Sequence, residues 1–133
     1  MGRTRSRTPA GIVLDAGALI ALERGDKRMI ALLNRALAQG RAFRVPAGVV
    51  GQAWRDGCVQ FTLARFLRSE EVEIIPLDEQ LARSCGELCS ATSSADIIDA
   101  SVVILARQRR DPIVTSDPND LRRLDPAAQI IHV

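Results

Sequence analysis

Five aspartates fall where a fold could turn them toward one point. Asp15 closes the apolar run Ile12-Val-Leu14, and Asp96 and Asp99 open an apolar stretch after Ser93-Ser94. Asp117 follows Ile113-Val-Thr-Ser116, with Asp120 close behind. Carboxylates gathered together repel one another unless a proton or a cation bridges them, and Mg²⁺ or Mn²⁺ takes hard oxygen ligands of this kind. Such a cluster suits metal-assisted hydrolysis of a phosphodiester, in which a bound ion lowers the pKa of a water. The same residues also have a simpler use. Asp117-Pro-Asn-Asp120 reads as a helix start, with Asp117 as N-cap, Pro118 at the first helical position and Asp120 in the acidic slot of a capping box. Asp15 can cap the segment behind it, and Asp96 suits a helix N-terminus by charge alone. The functional reading requires these sites to converge.

Other chemistries lack their residues. His132 is the only histidine and Tyr is absent, so His-based triads and His-ligated zinc or haem have no donors. Aromatics make up 3% of the chain, too few for a platform that stacks nucleic-acid bases. There is no Gly-x-x-x-x-Gly-Lys motif. Lys27 is the sole lysine, which excludes a phosphoacceptor receiver site needing a lysine late in the chain. Cys58, Cys85 and Cys89 form an odd set without zinc spacing and read as thiols in a reducing cytoplasm.

To bring the aspartates together, strand ends must share an edge. Short apolar strands are expected at 12–14, 43–45, 72–75, 113–115 and 129–133. Helical segments are expected at 18–22, 26–39, 61–67, 77–89, 95–107 and 118–124, with one more starting at Pro46. The segment 26–39 shows the pattern well: Asp26 can cap it, Ile30, Leu33 and Leu37 are spaced for one face, and Gly40 is a stop signal. The helix 95–107 is nearly all apolar, so charges opening it are costly unless paired or metal-bound. The order β-α-α-β-α-α-β-α-α-β-α-β argues an α/β fold with a parallel sheet covered on both faces and right-handed crossovers. In open sheets of this class the ligand site lies beyond the carboxyl ends of the strands.

The chain has 133 residues, 47% of them apolar and 26% charged, as expected of one globular domain. Residues 1–10 read as a flexible basic tail and 11–133 as a single domain. The net charge is +2, unevenly shared: residues 1–66 carry 11 Lys+Arg against 4 Asp+Glu, and residues 67–133 carry 7 against 12. A basic half can face a polyanion while an acidic half holds a cation. Arg24, Lys27, Arg28 and Arg44 are candidates for backbone contacts with nucleic acid. The apolar stretches 12–22 and 97–106 are interrupted by Asp15 and Asp99, and the first is too short to span a bilayer, so no membrane segment is expected.

Four blocks together resemble the PIN domain ribonucleases, and among them the toxins of VapBC-type toxin–antitoxin pairs. They are Ile12-Val-Leu-Asp-Ala-Gly-Ala-Leu-Ile20, Val45-Pro-Ala-Gly-Val-Val-Gly-Gln-Ala-Trp-Arg55, Ser94-Ala-Asp-Ile-Ile-Asp-Ala100 and Val114-Thr-Ser-Asp-Pro-Asn-Asp-Leu121. The resemblance implies a three-layer α/β/α sandwich on a short parallel sheet and a Mg²⁺- or Mn²⁺-dependent endoribonuclease leaving 5′-phosphate and 3′-hydroxyl ends. Carried over, Asp15, Asp96 and Asp117 match the family's metal-site aspartates. Asp99 and Asp120 are further acidic positions. It also implies a cytoplasmic homodimer held inactive by a small antitoxin lying across the active-site groove. The family usually has Glu where this chain has Gln52. Glutamine keeps a carbonyl oxygen that can orient a water, but it brings no charge and cannot act as a base. This departure leaves open a second expectation, a weak or inactive relative that binds RNA or a partner protein. Arg55, Thr115 and Ser116 are candidate substrate-binding residues beside these blocks.

Overall fold

The computed structural model describes residues 10–133. All but Ala10 of the expected basic tail lies outside the described residues. Twelve elements follow in the expected order: β1 (Gly11–Leu14), α1 (Ala16–Glu23), α2 (Lys27–Ala38), β2 (Ala42–Pro46), α3 (Ala47–Ala53), α4 (Phe61–Leu67), β3 (Val72–Ile75), α5 (Glu79–Thr92), α6 (Ile97–Arg109), β4 (Ile113–Thr115), α7 (Pro118–Leu124) and β5 (Ile130–His132). Every strand pair is parallel, in the order β3-β2-β1-β4-β5. The packing sorts the helices into two groups. Helix α1 lies against α2, α3 and α4, while α5, α6 and α7 pack together. The result is the α/β/α sandwich, with helices on both faces of the sheet.

Local chemistry accounts for the boundaries. Asp26 caps α2 by accepting a hydrogen bond from the Met29 amide, and Gly40 takes φ +70° just past its end, a conformation cheap only for glycine. The central strands β1 and β4 are buried throughout, as a parallel sheet covered on both faces demands. Several boundaries shift by a few residues from the sequence reading, and two of the shifts have a clear local cause. Pro46 ends β2 and occupies the N-cap of α3 rather than its first turn. Helix α6 begins at Ile97, because Asp96 caps it, while Ser93 turns left-handed (φ 56°) to end α5. In α6, residues 100–106 are all buried. Among the described residues, no single helix is long and apolar enough to cross a membrane.

The strand order sets the site. From β1 the chain winds outward to β2 and β3, then returns across the sheet to β4 on the other side of β1. Between β1 and β4 the winding reverses, and beyond their carboxyl ends a crevice opens. Asp15 follows β1 and Asp117 lies just past β4, so both stand at this reversal.

Candidate active site at the carboxyl edge of the sheet

Asp15 is nearly buried, at 8% exposure, and both of its oxygens have partners. Oδ1 accepts from the Ala18 amide at 2.9 Å, which caps α1. Oδ2 accepts from the Thr115 hydroxyl at 2.5 Å. The Thr115 oxygen in turn accepts from the Asp117 amide at 2.9 Å. One buried hydroxyl on the last residue of β4 thus links the ends of β1 and β4. Burial pushes the Asp15 carboxyl above its ordinary value, against the hydrogen bonds from Thr115 and the Ala18 and Gly17 amides, and the Asp117 charge adds to the rise.

Asp96 caps α6, its Oδ1 accepting from the Asp99 amide at 2.9 Å. Asp117 stands at the N-cap position of α7 but makes no side-chain capping bond. The capping use proposed from sequence therefore holds for Asp15 and Asp96, each through one oxygen, and not for Asp117. Asp120 lies in the first turn of α7. Asp96, Asp99 and Asp120 line one hollow of about 210 Å³ with Ser93, Ser94 and Arg123.

Charge crowding is felt most at Asp99. Asp99 is pushed up to about 7, first by burial and then by the charges of Asp96, Asp15 and Asp120. Asp15 feels Asp117 in the same way. Asp96, Asp99 and Asp120 thus share one hollow, and Asp15 and Asp117 are tied to each other through Thr115. Among the described residues, Arg123 is the one cation lining the acidic hollow, and its guanidinium stands a loose 3.9 Å from Asp120.

The donor chemistry of this edge fits a hard divalent cation: oxygen ligands only, and crowded charges that a cation would relieve. The side-chain arrangement is more open. Among the described residues, no group of three or more His, Cys, Asp or Glu side chains closes around a single ion position.

The remaining expected site residues stand at the margin. Gln52 is exposed on α3, one turn beyond Gly48. Gly48 lies so close to α6 that a Cβ there would meet Ile98 Cδ1 at 2.2 Å, so the Gly48–Gln52 stripe of α3 runs beside the start of α6. Arg55 is exposed and turned back on its own helix end, donating to the carbonyls of Gly51 at 3.0 Å and Trp54 at 2.6 Å. Ser116 is exposed at the mouth of the site, and its carbonyl lies 3.2 Å from His132 Nε2. Gly17 permits this approach: a Cβ there would stand 2.2 Å from Ser116 Oγ.

One expectation fails outright. Arg44 cannot contact a polyanion, because it is 1% exposed and paired with Asp111 at 2.5 Å. Two features were not foreseen from sequence, the Arg123 guanidinium in the acidic hollow and the Asp111 partner of Arg44. The i,i+3 spacing of Asp120 and Arg123 was the available signal for the first; no local signal marks the second.

A doubly wound parallel sheet with carboxylates beyond the strand ends at its reversal point places a candidate ligand site there. The chain belongs to the PIN domain family, whose profile matches residues 12–126. Solved structures share the fold at low identity. VapBC2 from Rickettsia felis, bound to a DNA fragment from its promoter, superimposes with a TM-score of 0.68 at 16% identity, covering 92% of this chain and 98% of that one. VapC20 from Mycobacterium tuberculosis, a Sarcin-Ricin loop cleaving toxin, gives 0.67 at 15% identity with the same coverage. VapBC-5 from Mycobacterium tuberculosis, a member of the VapBC toxin–antitoxin family, is 25% identical with a TM-score of 0.56, covering 94% of this chain and all of that one. A comparison with curated proteins finds no match.

Proposed function

We propose that this PIN domain protein is a Mg²⁺- or Mn²⁺-dependent endoribonuclease and the toxin member of a toxin–antitoxin pair. The observation that carries this reading is the hollow lined by Asp96, Asp99 and Asp120 in a chain of the PIN domain family. Asp15, Asp96 and Asp117 would hold the cation, with Asp99 and Asp120 adding charge that offsets the neutrality of Gln52. When bound, the ion supplies a water of lowered pKa and neutralises charge building on the phosphate. The chain's own groups do the positioning. Thr115 holds the Asp15 carboxylate in one orientation through its hydroxyl. Gln52 orients a water, and Arg55 and Ser116 contact the RNA backbone. A cytoplasmic homodimer restrained by an antitoxin belongs to the same reading. It is supported by neighbours of this fold solved as VapBC assemblies and as a toxin–antitoxin complex from Klebsiella pneumoniae.

The test is RNA cleavage by the purified protein in Mg²⁺ or Mn²⁺, repeated with excess chelator and with Asp15→Asn. Chelation should abolish cleavage, and the substitution should slow it by about a hundredfold or more, since a lost ligand forfeits several kcal/mol of charge stabilisation. Cleavage indifferent to both overturns the reading. Gln52 favours a second possibility, a module that binds RNA or a partner without cutting. Calorimetry separates the two: saturable Mn²⁺ binding that Asp15→Asn removes supports the enzyme, and absence of binding supports the module.

A further inference from the structure

A second hollow, of about 510 Å³, is lined by Gly17, Ile20, Ala21, Arg24, Asp26, Ser116 and Val133. Gly17 follows Asp15 by two residues and Ser116 directly precedes Asp117, so the hollow shares its inner wall with the carboxylate edge. Its volume is in the range of sites that enclose small organic ligands. Ile20 and Ala21 supply an apolar wall, and Ile20 is 37% exposed. Arg24 and Asp26 bring opposite charges to the same space, yet no ion pair joins these two described residues. One oxygen of Asp26 is used to cap α2 through the Met29 amide.

We infer that this hollow receives the nucleobase next to the scissile phosphate, and that the base is guanine; the inference rests on the ribonuclease reading above. The lining argues for a base rather than a phosphate. Among the lining side chains one arginine stands against one aspartate, whereas a phosphate site would concentrate cations. Guanine has the edges that match. Its O6 and N7 accept together from a guanidinium, and its N2 amino group donates, which suits an acceptor-only carboxylate. Unpaired RNA bases are read in this way, turned out of the stack and bonded along their edges against an apolar surface.

The full chain is tested twice. A pool of single-stranded RNA of random sequence is cut in Mn²⁺ and the new ends are sequenced. Guanine should be enriched at one position flanking the cut. Arg24→Gln should lower that enrichment about tenfold, the scale of one lost bidentate contact. Asp26→Asn preserves the helix cap, so the protein stays folded, and should lower the enrichment as well. In the Asp15→Asn protein, guanosine should shift the NMR resonance of the Ile20 δ1 methyl, cytidine should shift it far less, and Arg24→Gln should erase the response. Preference unchanged in both variants, an Ile20 methyl silent to guanosine, or the same shift from inorganic phosphate alone overturns the subsite. A methyl that answers guanosine in a protein that leaves the pool uncut keeps the subsite and removes the ribonuclease reading.

Discussion

Thr115 is the residue on which the acidic edge turns. Its hydroxyl donates to Asp15 and accepts from the Asp117 amide, and the residue is fully buried. Thr115→Val keeps the shape and removes the hydroxyl, leaving a carboxylate oxygen and an amide without a partner. Orphaned buried polar groups cost about 1–3 kcal/mol each, so denaturant unfolding should show a loss of that order. Mn²⁺ affinity should also fall about 10–100-fold, the usual effect of losing a group that orients a metal ligand, and Thr115→Ser should restore most of it. A stability loss with unchanged Mn²⁺ affinity would assign Thr115 to folding alone. The aspartates themselves were legible in the sequence as residues at strand ends and helix starts. Whether they cap or converge was not, because both uses place the same residue type at the same position. The structure answers the first use: Asp15 and Asp96 cap through one oxygen each and keep the other for different partners or solvent, and Asp117 spends no side-chain bond on capping.

Strands β1 and β2 are joined at the opposite edge by charge. Arg44 on β2 pairs with Asp111, which precedes β4 and whose Oδ1 accepts from the Gly11 amide at the start of β1. Glu73 on β3 adds a contact at 3.4 Å. Gly11 is needed here, since a Cβ would fall 1.7 Å from Arg44 Nη1. Asp111→Ala leaves a buried guanidinium without its main partner and should destabilise the fold by about 3–5 kcal/mol in chemical denaturation. Replacing the pair together, as Arg44→Met with Asp111→Leu, should cost much less, because two apolar groups need no compensation. A double variant as damaged as the single one would show that the pair is not the source of the effect. The sequence reading treated Arg44 as a surface cation. It erred because a charge inside a short apolar strand looks the same whether one face of the sheet is open or both are covered.

For the molecule as a whole, the carboxylate edge makes stability depend on pH. Asp99 is held up at about 7 in the fold, above its ordinary value of 3.8, by burial and by its acidic neighbours. The folded protein therefore binds more protons than the unfolded chain across that interval, and the contribution of Asp99 to stability declines as pH rises through it. Asp15, also raised, acts in the same direction. Without divalent cations, the wild type should lose melting temperature between about pH 4 and pH 7, Asp99→Asn should flatten the decline, and Mn²⁺ at pH 7.5 should raise the wild-type melting temperature. A wild type and an Asp99→Asn variant with parallel pH profiles would show that the crowding of charge at Asp99 has no energetic consequence.

Much of this protein is written locally. The alternation of short apolar runs with capped helices determines the element order, and parallel strands joined by helices then admit few arrangements. Residue types at strand ends named the candidate acids, and four blocks together pointed to the family. Tertiary structure alone decided which charges share a field. Asp15 and Asp99 lie far apart in the chain, and Arg44 meets Asp111 across 67 residues. Local pattern records the environment of a residue along the chain, whereas electrostatic energy depends on distance in space and on the exclusion of water, and both arise only when the sheet closes between its helices.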